Sequence, residues 1–124
     1  MMIRNIMYVA VGGALGSVAR YLVSKWIADN ISSAMPWGTM AVNLLGCLLI
    51  GVFCGLADKF GIGGEMKLLL TVGFCGGFTT FSTFMNENLS LLRSSDLLLC
   101  ALYTGGSVAL GLLCVFLGRM AFMR

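Results

Sequence analysis

The sequence predicts an all-α membrane protein of four transmembrane helices with a broken third helix, and three observations carry that expectation. Hydrophobic residues make up 59% of the chain and charged residues only 10%, and the mean hydropathy of +0.97 is far from that of an ordinary soluble domain. At roughly 20 apolar residues per crossing, the 124 residues hold about four helices, so that 1–124 form a single transmembrane domain with no room for a second. The third observation is the stretch Gly73-Phe-Cys-Gly-Gly-Phe-Thr-Thr-Phe-Ser-Thr-Phe84, a glycine break and a hydroxyl cluster inside an apolar segment of membrane length. Lipid offers no water to freed N–H and C=O groups, so broken backbone at that depth must face protein, a water-filled path or an ion.

The elements follow in order. Helix 1 is expected over Ile6–Ile27, ending in Tyr21, Lys25 and Trp26, side chains that favour a membrane interface. The short N-terminal run before it lacks a small-residue cleavage site and reads as part of a retained helix rather than a signal peptide. Asp29 to Trp37 is a loop. Helix 2 spans Gly38–Leu56 and stops at Asp58-Lys59, before a turn rich in glycine. Helix 3 covers Glu65–Leu92 with its break near Gly76-Gly77. Arg93 to Asp96 forms the next turn, where Ser94 or Ser95 caps helix 4, which runs to Phe122. Small residues four apart (Gly12 and Gly16, Gly51 and Gly55, Gly73 and Gly77, Ser107 and Gly111) allow close helix approach.

Composition also excludes function classes. A formal charge of +3 with eight scattered basic residues argues against nucleic acid. There is no His, and the five acids sit mostly near helix ends, which speaks against an enzyme. The five cysteines lie in apolar runs without a C-x-x-C pair and read as reduced packing residues. Arg4, Lys59, Lys67, Arg119 and Arg124 fall on one side of a four-helix model and Arg20, Lys25 and Arg93 on the other. So weak a bias permits insertion both ways, as an antiparallel, dual-topology homodimer requires, and the same count also suits a chain whose orientation is fixed by a slight excess. A four-helix monomer is too small to enclose a path, which places any path at a subunit interface.

Three motifs, Gly12 to Tyr21 with its Ala-Arg20-Tyr21, Pro36 to Gly46 with Thr39 and Val-Asn43, and Gly73 to Phe84, together with length and helix count, resemble the CrcB-type (Fluc) fluoride channels. The resemblance implies passive fluoride export through two antiparallel pores of a homodimer in the cell inner (plasma) membrane, a multi-pass location in contact with lipid. It also marks residues. Phe81 and Phe84 match the pore phenylalanines, Asn43 a pore asparagine, Arg20 a vestibule arginine, Glu87 a glutamate flanking the pore and Ser107 a pore-lining polar position. Gly111 departs from the hydroxyl common there. A structural Na⁺ is implied at the carbonyls of Gly76 and Thr79 from each subunit.

The residues read on their own are compatible with this. Thr79, Thr80, Ser82 and Thr83 can donate hydrogen bonds beside the positive end of a restarting helix, or they satisfy their own backbone. Phe78, Phe81 and Phe84 share a helical face, and ring edges attract an anion without holding it as a charge would; Phe78 reads as packing. Asn43, with Thr39 one turn before it, serves an anion or makes an interhelical hydrogen bond. Arg20 concentrates anions at a vestibule or snorkels to water, and Glu87 is otherwise an exposed helix-end acid. The alternative is a small dual-topology multidrug exporter. Such an exporter needs a membrane-embedded acid, and helix 1 over Ile6–Ile27 contains none.

Overall fold

A computed structural model describes residues 1–33 and 35–122. The expected placing of Arg124 on one membrane side lies outside the described residues. The regular elements among the described residues are all helical: α1 (Met2–Asn30), α2 (Trp37–Phe60), α3 (Gly64–Leu68), a π-helical stretch (Leu69–Cys75), α4 (Gly76–Phe78), α5 (Ser82–Arg93) and α6 (Leu97–Met120). Among the described residues four segments are long and apolar enough to cross a membrane, namely Met2–Asn30, Trp37–Phe60, Gly64–Arg93 and Leu97–Met120. Leu15, Leu22, Leu112 and Phe116 are among many large apolar side chains left exposed. An apolar exterior of this extent suits lipid or a partner, not water.

Helices pack where glycines let backbones touch. Gly51 of α2 faces the carbonyl of Val115 on α6, and Gly118 of α6 faces the carbonyl of Leu48 on α2, so that a Cβ on either would meet main chain. Gly12 and Gly16 bring α1 onto the π-helical stretch and α4 in the same way. At one end of the bundle Arg4 pairs with Glu65 at 2.7 Å and Arg119 pairs with Asp58. These pairs gather the start of α1, the α2–α3 connection and the end of α6 on one side.

Several boundaries differ from expectation. The first helix runs on to Asn30 and takes in Asp29, which is exposed and bonded to Lys25 at 3.3 Å. The second passes Asp58-Lys59 and stops at Gly61, whose φ of 68° is left-handed and glycine's to adopt. Ser94 and Ser95 do not cap the last helix. They close α5: the N–H of Ser95 donates to Leu92 and that of Asp96 to Leu91, with Ser95 itself at φ 59°. Asp96 is the cap of α6, its carboxylate accepting from the Leu99 N–H at 3.2 Å.

The glycines of the third segment also behave differently. Gly76 and Gly77 are helical, and the residues outside regular helix are Thr79 to Phe81. Thr79 is extended at φ −91°, ψ 161°, and both its N–H and its hydroxyl donate to the Cys75 carbonyl, at 3.0 and 2.8 Å. A side chain that competes for helical acceptors is a reason for the helix to stop there. Phe78 therefore lies across the interruption from Phe81 and Phe84. It is buried and stacked on Phe74 with ring centroids 5.7 Å apart.

Candidate functional site: a polar track beside the interruption

Asn43 organises the site. Its amide oxygen accepts from the Thr80 N–H at 2.8 Å and its amide nitrogen donates to the Thr80 carbonyl at 3.1 Å. A side-chain amide thus pairs with a main-chain amide as a neighbouring strand would, and α2 pins the point at which α4 gives way to α5. This is the interhelical bond foreseen as one of two roles for Asn43. One amide hydrogen is left over for another acceptor. The Thr80 hydroxyl in turn accepts from the Thr83 N–H at 3.2 Å, satisfying one donor at the start of α5.

Thr80 lies between two cavities. The larger, about 480 Å³, is lined by Arg20, Thr39, Thr80, Thr83 and Glu87. The smaller, about 280 Å³, is lined by Asn43, Thr80, Phe81, Phe84 and Ser107 among others. All the expected path residues but Ser82 border one cavity or the other; Ser82 opens α5 with its side chain exposed.

In the larger cavity, Arg20 does more than reach for water. Its Nε donates to the Gly77 carbonyl at 3.0 Å, so a positive charge stands at the carbonyl end of α4. Glu87 is not a free helix-end acid. One carboxylate oxygen accepts from the Thr39 hydroxyl and the other from the Tyr103 hydroxyl, both at 3.0 Å. Hydroxyls from α2 and α6 thereby hold the carboxylate of α5. In the smaller cavity, Phe84 is 6% exposed and meets the Tyr103 ring edge-on with centroids 4.9 Å apart. Phe81 lies 6.2 Å from Phe84 and is 73% exposed. The Ser107 Oγ is buried without a hydrogen-bond partner among the described residues. A large ring thus projects outward on the same cavity as an unsatisfied hydroxyl.

Tyr103 and Asn88 were not singled out from the sequence. Tyr103 is fully buried and joins Phe84 to Glu87, and its position one turn before Ser107 is the signal that places it on the same face. Asn88 accepts from the Thr104 hydroxyl at 2.9 Å and from the Cys100 thiol at 3.3 Å, tying α5 to α6.

Among the described residues no group of three His, Cys, Asp or Glu could hold a metal, so an ion here would need backbone oxygens. The Thr80 N–H, which an α-helix would aim at the Gly76 carbonyl, goes to Asn43. The Thr83 N–H, which would reach the Thr79 carbonyl, goes to the Thr80 hydroxyl. Neither carbonyl thus receives the N–H it would have in an unbroken α-helix, and an oxygen in that position has the chemistry of a ligand for a hard cation.

Fold and site together define a multi-pass membrane protein with a polar track along one flank. The family described as CrcB-like protein, Camphor Resistance (CrcB), matches residues 7–119. The chain is 47% identical over 118 residues, 93% of each sequence, to the fluoride-specific ion channel FluC of Bacteroides fragilis. It is 49% identical over 115 residues to the FluC of Phocaeicola vulgatus, covering 93% of this chain and 95% of that one. With the FluC of Rhizobium etli it shares 48% over 117 residues, 94% and 93% of the two. The chain belongs to the CrcB family.

Proposed function

We propose that this protein is a fluoride channel, not an enzyme, that lets fluoride leave the cell passively across the inner membrane. The observation that carries this reading is the track itself: the Arg20 charge, the hydroxyls of Thr39, Thr80 and Thr83, the spare Asn43 amide hydrogen, the rings of Phe81 and Phe84 and the unpartnered Ser107 hydroxyl follow one another across the two cavities. Such donors replace the water of a small, strongly hydrogen-bonding anion, and among the described residues no lysine or arginine lines the smaller cavity to trap it. The names of the relatives, each a fluoride-specific channel, support the same substrate.

The exporter alternative fares worse. The only acid in α1 is Asp29, exposed at its end, and Glu87 is occupied by two hydroxyl donors. In vesicles loaded with fluoride, the purified protein should release the ion down its gradient without a proton gradient, while chloride stays inside. Chloride leaving as fast as fluoride would refute the selectivity, and flux only under a proton gradient would favour the exporter.

The working unit in this reading is an antiparallel homodimer. Gly64–Arg93 is a single third membrane helix broken at Thr79 to Phe81, and the exposed face of Phe81 is covered by the second copy. Where two such helices cross, the carbonyls of Gly76 and Thr79 from both subunits would hold a structural Na⁺, whose charge offsets repulsion between the converging carbonyl dipoles. Ser94 is exposed in the α5–α6 turn, outside the spans, and reports orientation. A cysteine placed there in a cysteine-free background should react equally with an impermeant reagent from both sides of the membrane. Labelling from one side alone would exclude dual topology.

A further inference from the structure

The smaller cavity has a wall that the residues above leave unexplained. Cys47 lines it, one turn beyond Asn43 on α2. Facing it on α6, one turn beyond Ser107, is Gly111, where a Cβ would lie 3.3 Å from the Cys47 Sγ. Past Ser107 the last helix has no side chain at Gly111, which is buried behind the cavity wall, and the α2 thiol packs over it at the cavity's edge. A second observation points to a ligand in the same place. The Ser107 Oγ is buried without a partner among the described residues and borders this cavity, and an orphaned hydroxyl of that kind is costly unless something reaches it.

We propose that Cys47 is a lining residue of the ion path, its thiol supplying from α2 the polar group that α6 lacks at Gly111. This rests on the channel reading. A thiol is bulkier than a hydroxyl and a weaker donor, so it narrows the path and holds an anion loosely. It also makes the path sensitive to soft metals. Neutral mercuric chloride is small enough to enter: an S–Hg bond forms, one Hg–Cl bond breaks, and the thiol proton and a chloride leave, with no change of oxidation state. Cys54, Cys75, Cys100 and Cys114 are free thiols as well, but none of them borders either cavity of the track.

The test uses the full chain reconstituted in vesicles. Flux without reagent is measured first and examines the channel reading alone. Mercuric chloride is then expected to cut fluoride flux by about tenfold or more, as a metal lodged in the path raises the barrier, and excess dithiothreitol is expected to restore it. A variant keeping Cys47 with the other four cysteines changed to Ser should be blocked in the same way, and Cys47→Ser should lose the block. If either variant fails to fold, the other decides. Wild-type flux that ignores the reagent, or a block that persists in Cys47→Ser, overturns the assignment of Cys47. Absence of flux before any reagent overturns the channel reading instead.

Discussion

Asn43→Ala is expected to abolish fluoride flux and to destabilise the protein in one step. The substitution removes both partners of the Thr80 main-chain amide, the acceptor at 2.8 Å and the donor at 3.1 Å. Lipid cannot replace them, and at about 1–3 kcal/mol for each of the two orphaned groups the loss is about 2–6 kcal/mol. With Thr80 released, the interruption between α4 and α5 loses its pin, and Phe81 and Phe84 lose their placement with it. Asn43→Asp separates the two effects. A carboxylate still accepts from the Thr80 N–H, so more stability is retained, but it cannot donate to the carbonyl and it sets a negative charge beside the anion path. Thermal unfolding in detergent should therefore rank wild type above Asp and Asp above Ala, with flux absent from both variants. Wild-type stability in Asn43→Ala would show that the amide pair does not hold the interruption.

How far the sequence goes can be judged from these same residues. Hydropathy located the four spans because each crossing demands its own apolar run, a local property. Asn43 stood out because an amide at that depth needs a partner. The partner could not be read. It is the main chain of Thr80, 37 positions away, and it is this long-range capture, with the Thr79 hydroxyl turned back on Cys75, that shifts the interruption past Gly76 and Gly77. Glycine permits a bend without requiring one, and these two instead lie in helix. The clamp on Glu87 escaped notice for a similar reason, since Thr39 and Tyr103 converge on it from different helices. At the α5–α6 turn the sequence pointed to Ser94 or Ser95 as the cap, but with Ser95 left-handed and closing α5 the cap falls to Asp96.

Two glycine substitutions should have opposite consequences, and the contrast tests the dimer and its ion. A Cβ at Gly16 would run into the Phe74 carbonyl and lie 2.9 Å from the Phe78 N. Gly16→Val must therefore push α1 off the π-helical stretch within the protomer, at a cost of about 1–3 kcal/mol or more. A Cβ at Gly76 meets nothing closer than the Thr71 carbonyl at 4.0 Å, and valine is no worse a helix residue than glycine. Within one chain, then, Gly76→Val is tolerated. In the proposed dimer the same position lies where two third helices cross and where the carbonyls of Gly76 and Thr79 would converge on Na⁺, and a branched side chain would hold them apart. Gly16→Val is expected to lower the unfolding temperature or to prevent folding. Gly76→Val is expected to keep native helicity while eluting as a monomer without flux. Prolonged dialysis against Na⁺-free buffer should reproduce that loss in the wild type and re-addition of Na⁺ should reverse it. Full activity after rigorous Na⁺ removal would dispose of the ion alone, whereas a dimeric, conducting Gly76→Val would dispose of both the crossing at Gly76 and the ion site built on it.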